Sequence, residues 1–220
     1  MKNKSSKLAS VAITLLAVSH SSATGLINGS FETPALASSA LYSVAPAGFD
    51  WTITPGNIEI VTSAYWQPSS GNQSIDMNGS TTGGIYQDFT FSSSQTWAIK
   101  FDLSANPDQF SRGDGNGTGI KNMRVDFGPV GSLSTLGTFG VDSGPRSIGN
   151  MQYVTFTTPD VLVSDSVLYR LQFTSLVGGN GGAVLDNVQL QVVPEPSTAA
   201  LLSSALIGRL IYRRRNSPRV

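Results

Sequence analysis

Short apolar and aromatic segments recur along the chain from residue 26 onward, and clusters of Gly, Asn, Ser and Pro separate them. In residues 97–103 and 167–173 apolar and polar side chains alternate, a pattern typical of strands with one buried and one wet face. Strands are predicted at residues 26–31, 49–53, 58–61, 73–77, 84–91, 96–104, 122–127, 137–141, 151–158, 166–175 and 183–192.

The stretch that holds these segments shows no amphipathic helix, and its content of Gly, Ser, Thr, Asn and aromatic residues favours strands and turns. About 170 residues remain between the two chain ends described below, which is enough for a hydrophobic core of its own. The pattern predicts an all-β domain over residues 24–193, built as an antiparallel jelly-roll β-sandwich.

The first residues have the order of a secretion signal: a basic segment over 1–7, an apolar run over 8–18, and small residues at Ser21 and Ala23. The apolar run is too short to span a bilayer. Residues 1–23 are therefore predicted to be a signal peptide that signal peptidase removes. The alternative is an uncleaved N-terminal anchor.

The last residues have the order of a membrane tail. Its motif, residues 193–198, contains Pro194, Glu195 and Pro196, and the prolines end the domain. The apolar run 199–212 predicts one short transmembrane helix of about 21 Å, against a hydrocarbon core of about 30 Å. The arginine cluster 213–215 follows, and the positive-inside rule places it in the cytoplasm.

This arrangement resembles the PEP-CTERM sorting signal, although Arg209 interrupts the apolar stretch. The resemblance implies that residues 194–220 are a sorting tail, processed at or near the motif by the membrane protease exosortase. Such tails are typical of Gram-negative bacteria that make exopolysaccharide or biofilm. The alternative is a plain tail anchor after a proline linker.

Motifs in the middle of the chain point to a second family. They are Asn-Gly-Ser-Phe-Glu at 28–32, Trp-Thr-Ile at 51–53, Tyr-Trp-Gln-Pro at 65–68, Gly-Asn-Gln-Ser-Ile-Asp-Met-Asn-Gly at 71–79 and Ala-Val-Leu-Asp-Asn-Val at 183–188. In this order they resemble the choice-of-anchor C family, which is related to the family catalogued as domain of unknown function 642. Both families resemble galactose-binding-like carbohydrate-binding modules, so the resemblance implies a galactose-binding-like jelly roll.

Composition excludes several kinds of active site. The sequence has no Cys, and its one His, His20, lies in the predicted signal peptide. A mature chain without His or Cys cannot form a Ser-His-Asp or Cys-His catalytic unit or a His-based zinc site. Between residues 24 and 193, six Lys and Arg stand against thirteen Asp and Glu, a net charge of −7, which argues against nucleic-acid binding.

Two acidic residues from opposite ends of the domain, Glu32 and Asp186, are predicted to hold a structural Ca²⁺ ion. The resemblance to calcium-bearing carbohydrate modules points to this pair, because the first and last strands of such jelly rolls lie close together. Carboxylate and backbone oxygens are the ligands that Ca²⁺ prefers. The alternative is that both residues accept hydrogen bonds from backbone N–H groups in turns.

A sugar site is predicted in the loop-rich segment around residues 65–73. Aromatic rings stack on sugar faces while amides bond the hydroxyls, and the segment offers both. The candidates are Tyr65, Trp66, Gln67, Asn72 and Gln73. A Trp in a sandwich is often part of the core, which is the alternative for Trp66 and the prediction for Trp51 and Trp97.

These features together predict an exported, non-catalytic protein of the cell envelope or extracellular matrix, anchored transiently in the membrane by its tail. Its jelly roll is predicted to bind extracellular polysaccharide. One alternative is a purely structural or protein-binding surface protein without a sugar site. Another is a polysaccharide hydrolase, which needs two facing carboxylates roughly 5–9.5 Å apart.

Overall fold

A computed structural model describes residues 25–107 and 119–194. The predicted signal peptide and all of the predicted tail after Pro194 lie outside the described residues. The described residues form strands β1 (Ala40–Tyr42), β2 (Thr52–Ile53), β3 (Ile58–Thr62), β4 (Gln73–Asp76), β5 (Gly84–Thr90), β6 (Gln95–Ala105), β7 (Ile120–Pro129), β8 (Ser134–Asp142), β9 (Val154–Thr157), β10 (Val161–Val163), β11 (Leu168–Ser175) and β12 (Ala183–Val192).

The strands form two sheets. One sheet has the order β1-β3-β4-β12-β6, and the free edge of β6 pairs with β9 and then with β10. The other sheet has the order β2-β5-β11-β7-β8. Neighbouring strands pair antiparallel in both sheets, which confirms the prediction of an all-β antiparallel sandwich.

Alternate residues of the long strands fill the space between the sheets. On β6 these are Trp97, Ile99, Phe101 and Leu103, all buried in the main core. Trp51 belongs to the same core and packs on aromatic rings. The prediction that Trp51 and Trp97 are core residues is confirmed.

The outer face of β6 departs from the alternation rule. Asp102 and Ser104 point away from the main core, yet both are buried. A second, smaller apolar cluster containing Trp66 and Met151 lies on this side, and the Met151 carbonyl accepts a hydrogen bond from the Ser104 hydroxyl. Loops therefore cover part of a face that the sequence pattern predicts to be wet.

The predicted strand 26–31 is wrong, because Asn28 and Phe31 have φ values of 51° and 59° and so interrupt an extended strand. The side-chain amide of Gln87 takes the place of a neighbouring strand: it donates to the Ile27 carbonyl and accepts from the Ile27 N–H. The short edge strands β1 and β10 were not predicted from the sequence pattern.

The two ends of the domain meet, as the sequence predicts. The Val188 N–H donates to the Gly29 carbonyl at 2.8 Å. A Cβ at position 29 would lie 2.1 Å from the Val188 carbonyl oxygen, so only glycine allows this approach. The opening motif and the closing motif thus share one piece of backbone packing.

Asp76 on β4 is a buried acid at the end of the sandwich that carries the β4–β5 and β11–β12 connections. Its Oδ1 accepts from the N–H groups of Asn78 and Gly182, and its Oδ2 accepts from the Asn106 amide at 2.6 Å. Burial raises the pKa of Asp76 to about 7, although the three hydrogen bonds offset part of this effect.

Within residues 25–107 and 119–194, no helix has the length and apolar character needed to span a membrane.

Candidate functional site

An open cleft of about 330 Å³ lies between the segment after Phe31 and the β3–β4 connection. Its wall combines small apolar side chains with a carboxylate, hydroxyls and amides. The lining residues are Glu32, Ala35, Leu36, Ala37, Thr62, Ser63, Ala64, Asn72 and Gln73. The cleft contains two of the predicted sugar-binding residues and one of the two predicted calcium ligands.

One wall is fixed to β4 by the side chain of Gln73. Its amide donates to the carbonyls of Phe31 and Pro34 and accepts from the N–H of Leu36. The Gln73 side chain is buried, and the amide nitrogen and oxygen are both occupied by the protein. Gln73 therefore positions the segment 31–36 and is not a free sugar contact.

Glu32 holds the opposite wall. Its Oε1 accepts from the N–H groups of Asn72 and Gln73, both at 2.9 Å. Gly71 has a φ of 66°, and a Cβ at this position would lie 2.5 Å from the Glu32 carboxyl carbon. Glycine is thus required here so that the carboxylate can approach the loop.

Asp186 holds the same connection from beneath. Its Oδ2 accepts from the N–H groups of Ser69 and Ser70 at 2.7 and 2.8 Å, and its Oδ1 accepts from the Asn187 N–H. Burial raises the pKa of Asp186 to about 7; the backbone hydrogen bonds offset part of this rise, and the charge of Asp102 adds to it.

Asp102 lies opposite Asp186 on the neighbouring strand. Its oxygens accept from the hydroxyls of Ser69 and Thr155 and from the Asn187 amide, at 2.6, 2.6 and 2.9 Å. Burial alone would raise the pKa of Asp102, but these hydrogen bonds outweigh it and hold the pKa below its ordinary value of 3.8. Asp102 is therefore ionised well below neutral pH, whereas Asp186 changes its charge close to neutral pH.

The cleft offers polar groups with unused bonding capacity. Thr62 is only 6% exposed, and its hydroxyl is enclosed by the protein, so it is not one of them. The Glu32 Oε2 accepts no bond from the residues that the structure describes, and the side chains of Ser63 and Asn72 are exposed. This wall is therefore suited to a ligand rich in hydroxyl groups.

Trp66 is not exposed, so the expectation that its indole stacks on a sugar is wrong. The residue is 2% exposed, its indole N–H donates to the Ser74 hydroxyl, and it packs with Val61, Met151 and Val184. A loop covers the outer face of β4 and β12, and the indole fills the apolar space between that loop and the sheet. The alternative weighed from the sequence, a core position, is confirmed.

Tyr65, Gln67 and Asn72 are the predicted sugar contacts that remain accessible. Tyr65 is 45% exposed and its ring leans on the Trp66 ring, with centroids 5.6 Å apart. Gln67 and Asn72 are exposed as well. Tyr65 follows Ala64 of the cleft wall directly, so a ring face is available at the loop that borders the cleft.

The calcium prediction stays a prediction. Glu32 and Asp186 both bind backbone N–H groups of one loop, which is the turn-holding role weighed as its alternative. Among residues 25–107 and 119–194, there is no group of three or more His, Cys, Asp or Glu side chains arranged to hold a metal ion. Of the sorting motif, Pro194 is the last described residue, and Glu195 and Pro196 lie outside the described residues.

We expect Glu32→Ala to lower the free energy of unfolding by about 1–3 kcal/mol, because two backbone N–H groups lose their acceptor. Glu32→Gln keeps an oxygen at the same place and is expected to lose less than half as much. Urea unfolding of both variants checks this. Equal losses of unfolding free energy in the two variants would mean that the charge of Glu32, and not its role as an acceptor, stabilises the loop. In that case, a rise in melting temperature with Ca²⁺ that occurs only in the unchanged chain would favour a bound cation.

The sequence of the domain matches a known protein family in part. A family model described as "Protein of unknown function (DUF642)" matches residues 24–128. This match supports the resemblance to that family over the part of the domain that contains the cleft. No curated protein matches the sequence.

Solved structures to which the chain is similar are carbohydrate-binding modules. A family 35 module from Clostridium thermocellum is 12% identical, with a TM-score of 0.40, over 69% of this chain and 90% of that chain. TmCBM61, solved in complex with β-1,4-galactotriose, is 9% identical, with a TM-score of 0.44, over 76% and 97%. The CBM22-1 xylan-binding domain from Paenibacillus barcinonensis is 12% identical, with a TM-score of 0.44, over 71% and 94%.

Proposed function

We propose that this protein is an exported, non-catalytic protein of the cell envelope or extracellular matrix that binds glycans, with exopolysaccharide as its ligand. The observation that carries the proposal is the cleft beside Glu32. It combines a carboxylate oxygen of Glu32 with the exposed polar side chains of Ser63 and Asn72. The walls are fixed by hydrogen bonds to β4, so these groups are held in place before a ligand arrives.

The chemistry of the cleft fits sugar hydroxyls. A hydroxyl donates to a carboxylate oxygen and accepts from an amide or from another hydroxyl, and the cleft supplies each of these partners. Leu36 and neighbouring alanines provide apolar surface for the C–H groups of a ring. The exposed ring of Tyr65 extends this surface outward.

Charge narrows the class of glycan. The cleft contains the Glu32 carboxylate and no Lys or Arg among its lining residues, and residues 24–193 carry a net charge of −7. A uronate or sulfate group at this place would face a like charge without a cation to offset it. Neutral sugars and sugars with a free amine are therefore the proposed ligands.

Binding is proposed in preference to hydrolysis. Asp102 and Asp186 lie opposite each other on neighbouring strands, but both are buried and bonded to Ser69 of the loop above them. A glycosidic bond needs open space between its two acids. These acids hold a loop instead.

The two chain ends support the cellular part of the proposal. The basic, apolar and small-residue order of 1–23 is typical of a signal peptide, and 194–220 has the order of a PEP-CTERM tail. We propose signal peptidase and exosortase as processing partners, with transient anchoring in the membrane by residues 199–212. The intact mass of the protein recovered from its native cell surface tests both cuts.

A second candidate function is a protein-binding or structural surface protein without a sugar site. The observation that favours it is that two of the predicted sugar contacts, Trp66 and Gln73, are buried and form hydrogen bonds within the protein. The two functions differ in what the cleft binds, and the next experiment separates them.

We expect Asn72→Ala to weaken glycan binding about 3–10-fold, the loss that follows from one hydrogen bond worth about 0.5–1.5 kcal/mol. The purified full chain is first screened on an array of neutral, amine-bearing and acidic glycans, and the best ligand is then titrated by calorimetry. Asn122→Ala is the matched control, because Asn122 lies on β7 in the other sheet and is not part of the cleft.

Binding to no glycan on the array would reject the sugar-binding proposal and favour the protein-binding alternative. Equal affinity of Asn72→Ala and the unchanged chain would place the sugar site outside this cleft. A preference for uronic acid polymers would contradict the assignment of neutral and amine-bearing sugars.

A further inference from the structure

One end of the sandwich collects the connections closest to the predicted membrane tail. The register places Val192 of β12 opposite Trp97 near the start of β6, and the Val193 N–H donates to the Thr96 carbonyl. In the other sheet, Leu168 at the start of β11 lies opposite Thr90 at the end of β5. The link from β5 to β6 joins the two sheets here, so all of these residues lie at one end, which is called the exit end below.

Large apolar side chains are exposed at the exit end. They belong to the β7–β8 turn, to β10 and to the start of β11. They are Val130, Leu133, Leu162 and Leu168. The Val130 N–H donates to the Leu168 carbonyl, so the turn and the strand start are adjacent. A shallow depression of about 180 Å³ at the same end is lined by Gln95, Thr96, Val192, Val193 and Pro194.

Exposure alone does not distinguish this end, because Ile120 and Leu176 are exposed at the other end of the same sheet. The course of the chain does. The described chain leaves the domain at Pro194, and the apolar run of the tail begins at residue 199. Residues 194–198 can span at most about 18 Å when fully extended. The exit end is therefore tethered within that distance of the start of the apolar run.

We infer that the exit end rests on the lipid bilayer while the tail anchors the protein, with Val130, Leu133, Leu162 and Leu168 in contact with the membrane surface. The inference rests on the membrane tail of the proposed function and does not depend on glycan binding. It assigns an orientation to the domain on the membrane.

The charges at the exit end indicate which lipids to use. The connections 91–94, 129–134 and 158–168 contain Asp160 and Asp165 and no Lys or Arg. The contact is thus apolar and gains nothing from anionic headgroups. Vesicles of zwitterionic phosphatidylcholine are the suitable test membrane.

The absence of cysteine makes a site-specific test clean. Leu168→Cys and Leu176→Cys form a matched pair, because both leucines are 48% exposed and they flank the same strand about 27 Å apart. Val130→Cys and Ile120→Cys form a second pair at the two ends of β7. Each full-length variant carries an environment-sensitive fluorophore and is reconstituted into phosphatidylcholine vesicles that contain a doxyl-labelled quenching lipid.

We expect labels at 168 and 130 to shift their emission to shorter wavelength and to lose intensity to the quencher. Labels at 176 and 120 are expected to keep the emission wavelength and intensity of a label exposed to water. Circular dichroism and thermal unfolding of each variant check that the labels leave the fold intact. A vesicle flotation run in parallel reports whether the tail inserts.

Equal emission and quenching at both ends of β11 would overturn the inference, as would stronger quenching at 176 than at 168. A chain that does not float with the vesicles would overturn both the membrane tail and the orientation. The calorimetric glycan titration would be unaffected by that result, so failure here is distinguishable from failure of the glycan-binding proposal.

Discussion

Trp66→Ala is expected to lower the free energy of unfolding by about 3–5 kcal/mol, the range for truncating a large buried aromatic side chain. The indole is the large apolar side chain packed between the β3–β4 connection and the outer face of β4 and β12, where it contacts Val61, Met151 and Val184. The substitution also removes the donor that bonds the Ser74 hydroxyl. Urea unfolding followed by circular dichroism measures the loss, because Trp51 and Trp97 would dominate a fluorescence signal.

Tyr65→Ala is the matched control for this prediction. The two aromatic residues are neighbours in sequence and their rings touch, but Tyr65 is 45% exposed. Its truncation is expected to cost less than about 1 kcal/mol, as is usual for surface positions. If Trp66→Ala unfolded at the same urea concentration as Tyr65→Ala and lost only glycan binding, the indole would be a ligand platform and its buried position would be contradicted.

Trp66 also shows where sequence reasoning stops. Alternation identifies which strand residues face the main core, and it does so correctly for Trp97, Ile99 and Phe101 on β6. It cannot show that loops fold back over the outer face of a sheet, because that contact depends on residues far away in sequence. The burial of Asp102 and Ser104 follows from such a contact and has no local signal.

The short edge strands were missed for a related reason. β1 and β10 have three residues each and are defined by pairing with longer strands, so their own sequences carry little periodicity. The opposite error occurred at residues 26–31, where apolar residues suggest a strand but the backbone turns at Asn28 and Phe31. A glycine next to Asn in the opening motif is the one signal that favours a turn there.

For the candidate site, sequence reasoning found the correct segment and only part of its chemistry. It identified the loop-rich segment around residues 65–73 and the acids Glu32 and Asp186, and the structure brings these together. It missed Ser63, an exposed residue that lies beside Glu32 and Asn72 only in the folded cleft. It also treated Gln73 as a free amide, since a side chain that bonds three backbone groups gives no pattern in the sequence.

The free energy of unfolding is expected to fall as pH rises from about 4 to 8, by on the order of 4 kcal/mol at most for each of two buried acids. Burial raises the pKa of Asp76 and of Asp186 from 3.8 to about 7 in the folded protein. Between these values the unfolded chain has released the proton while the folded chain retains it. The stability from each group is therefore complete below about pH 4 and is lost as pH rises through 7.

Asp102 changes the free energy of unfolding in the opposite direction, and it does so at low pH. Its pKa is held below 3.8, so its contribution is present above that value and is lost as the solution becomes more acidic. The three groups together therefore place the stability maximum just below about pH 4. Urea unfolding at a series of pH values measures the profile directly.

Asp76→Asn and Asp186→Asn are each expected to remove about half of the slope between pH 5 and 8, and the double variant is expected to remove most of it. The slope is the informative quantity, because either amide also disturbs local hydrogen bonds and shifts the whole curve. Asp186 holds Ser69 and Ser70 beneath the connection that forms one wall of the cleft, so the same titration is expected to loosen that wall above neutral pH. A flat profile in the unchanged chain, or a slope that survives in the double variant, would show that these two acids do not control stability in this range.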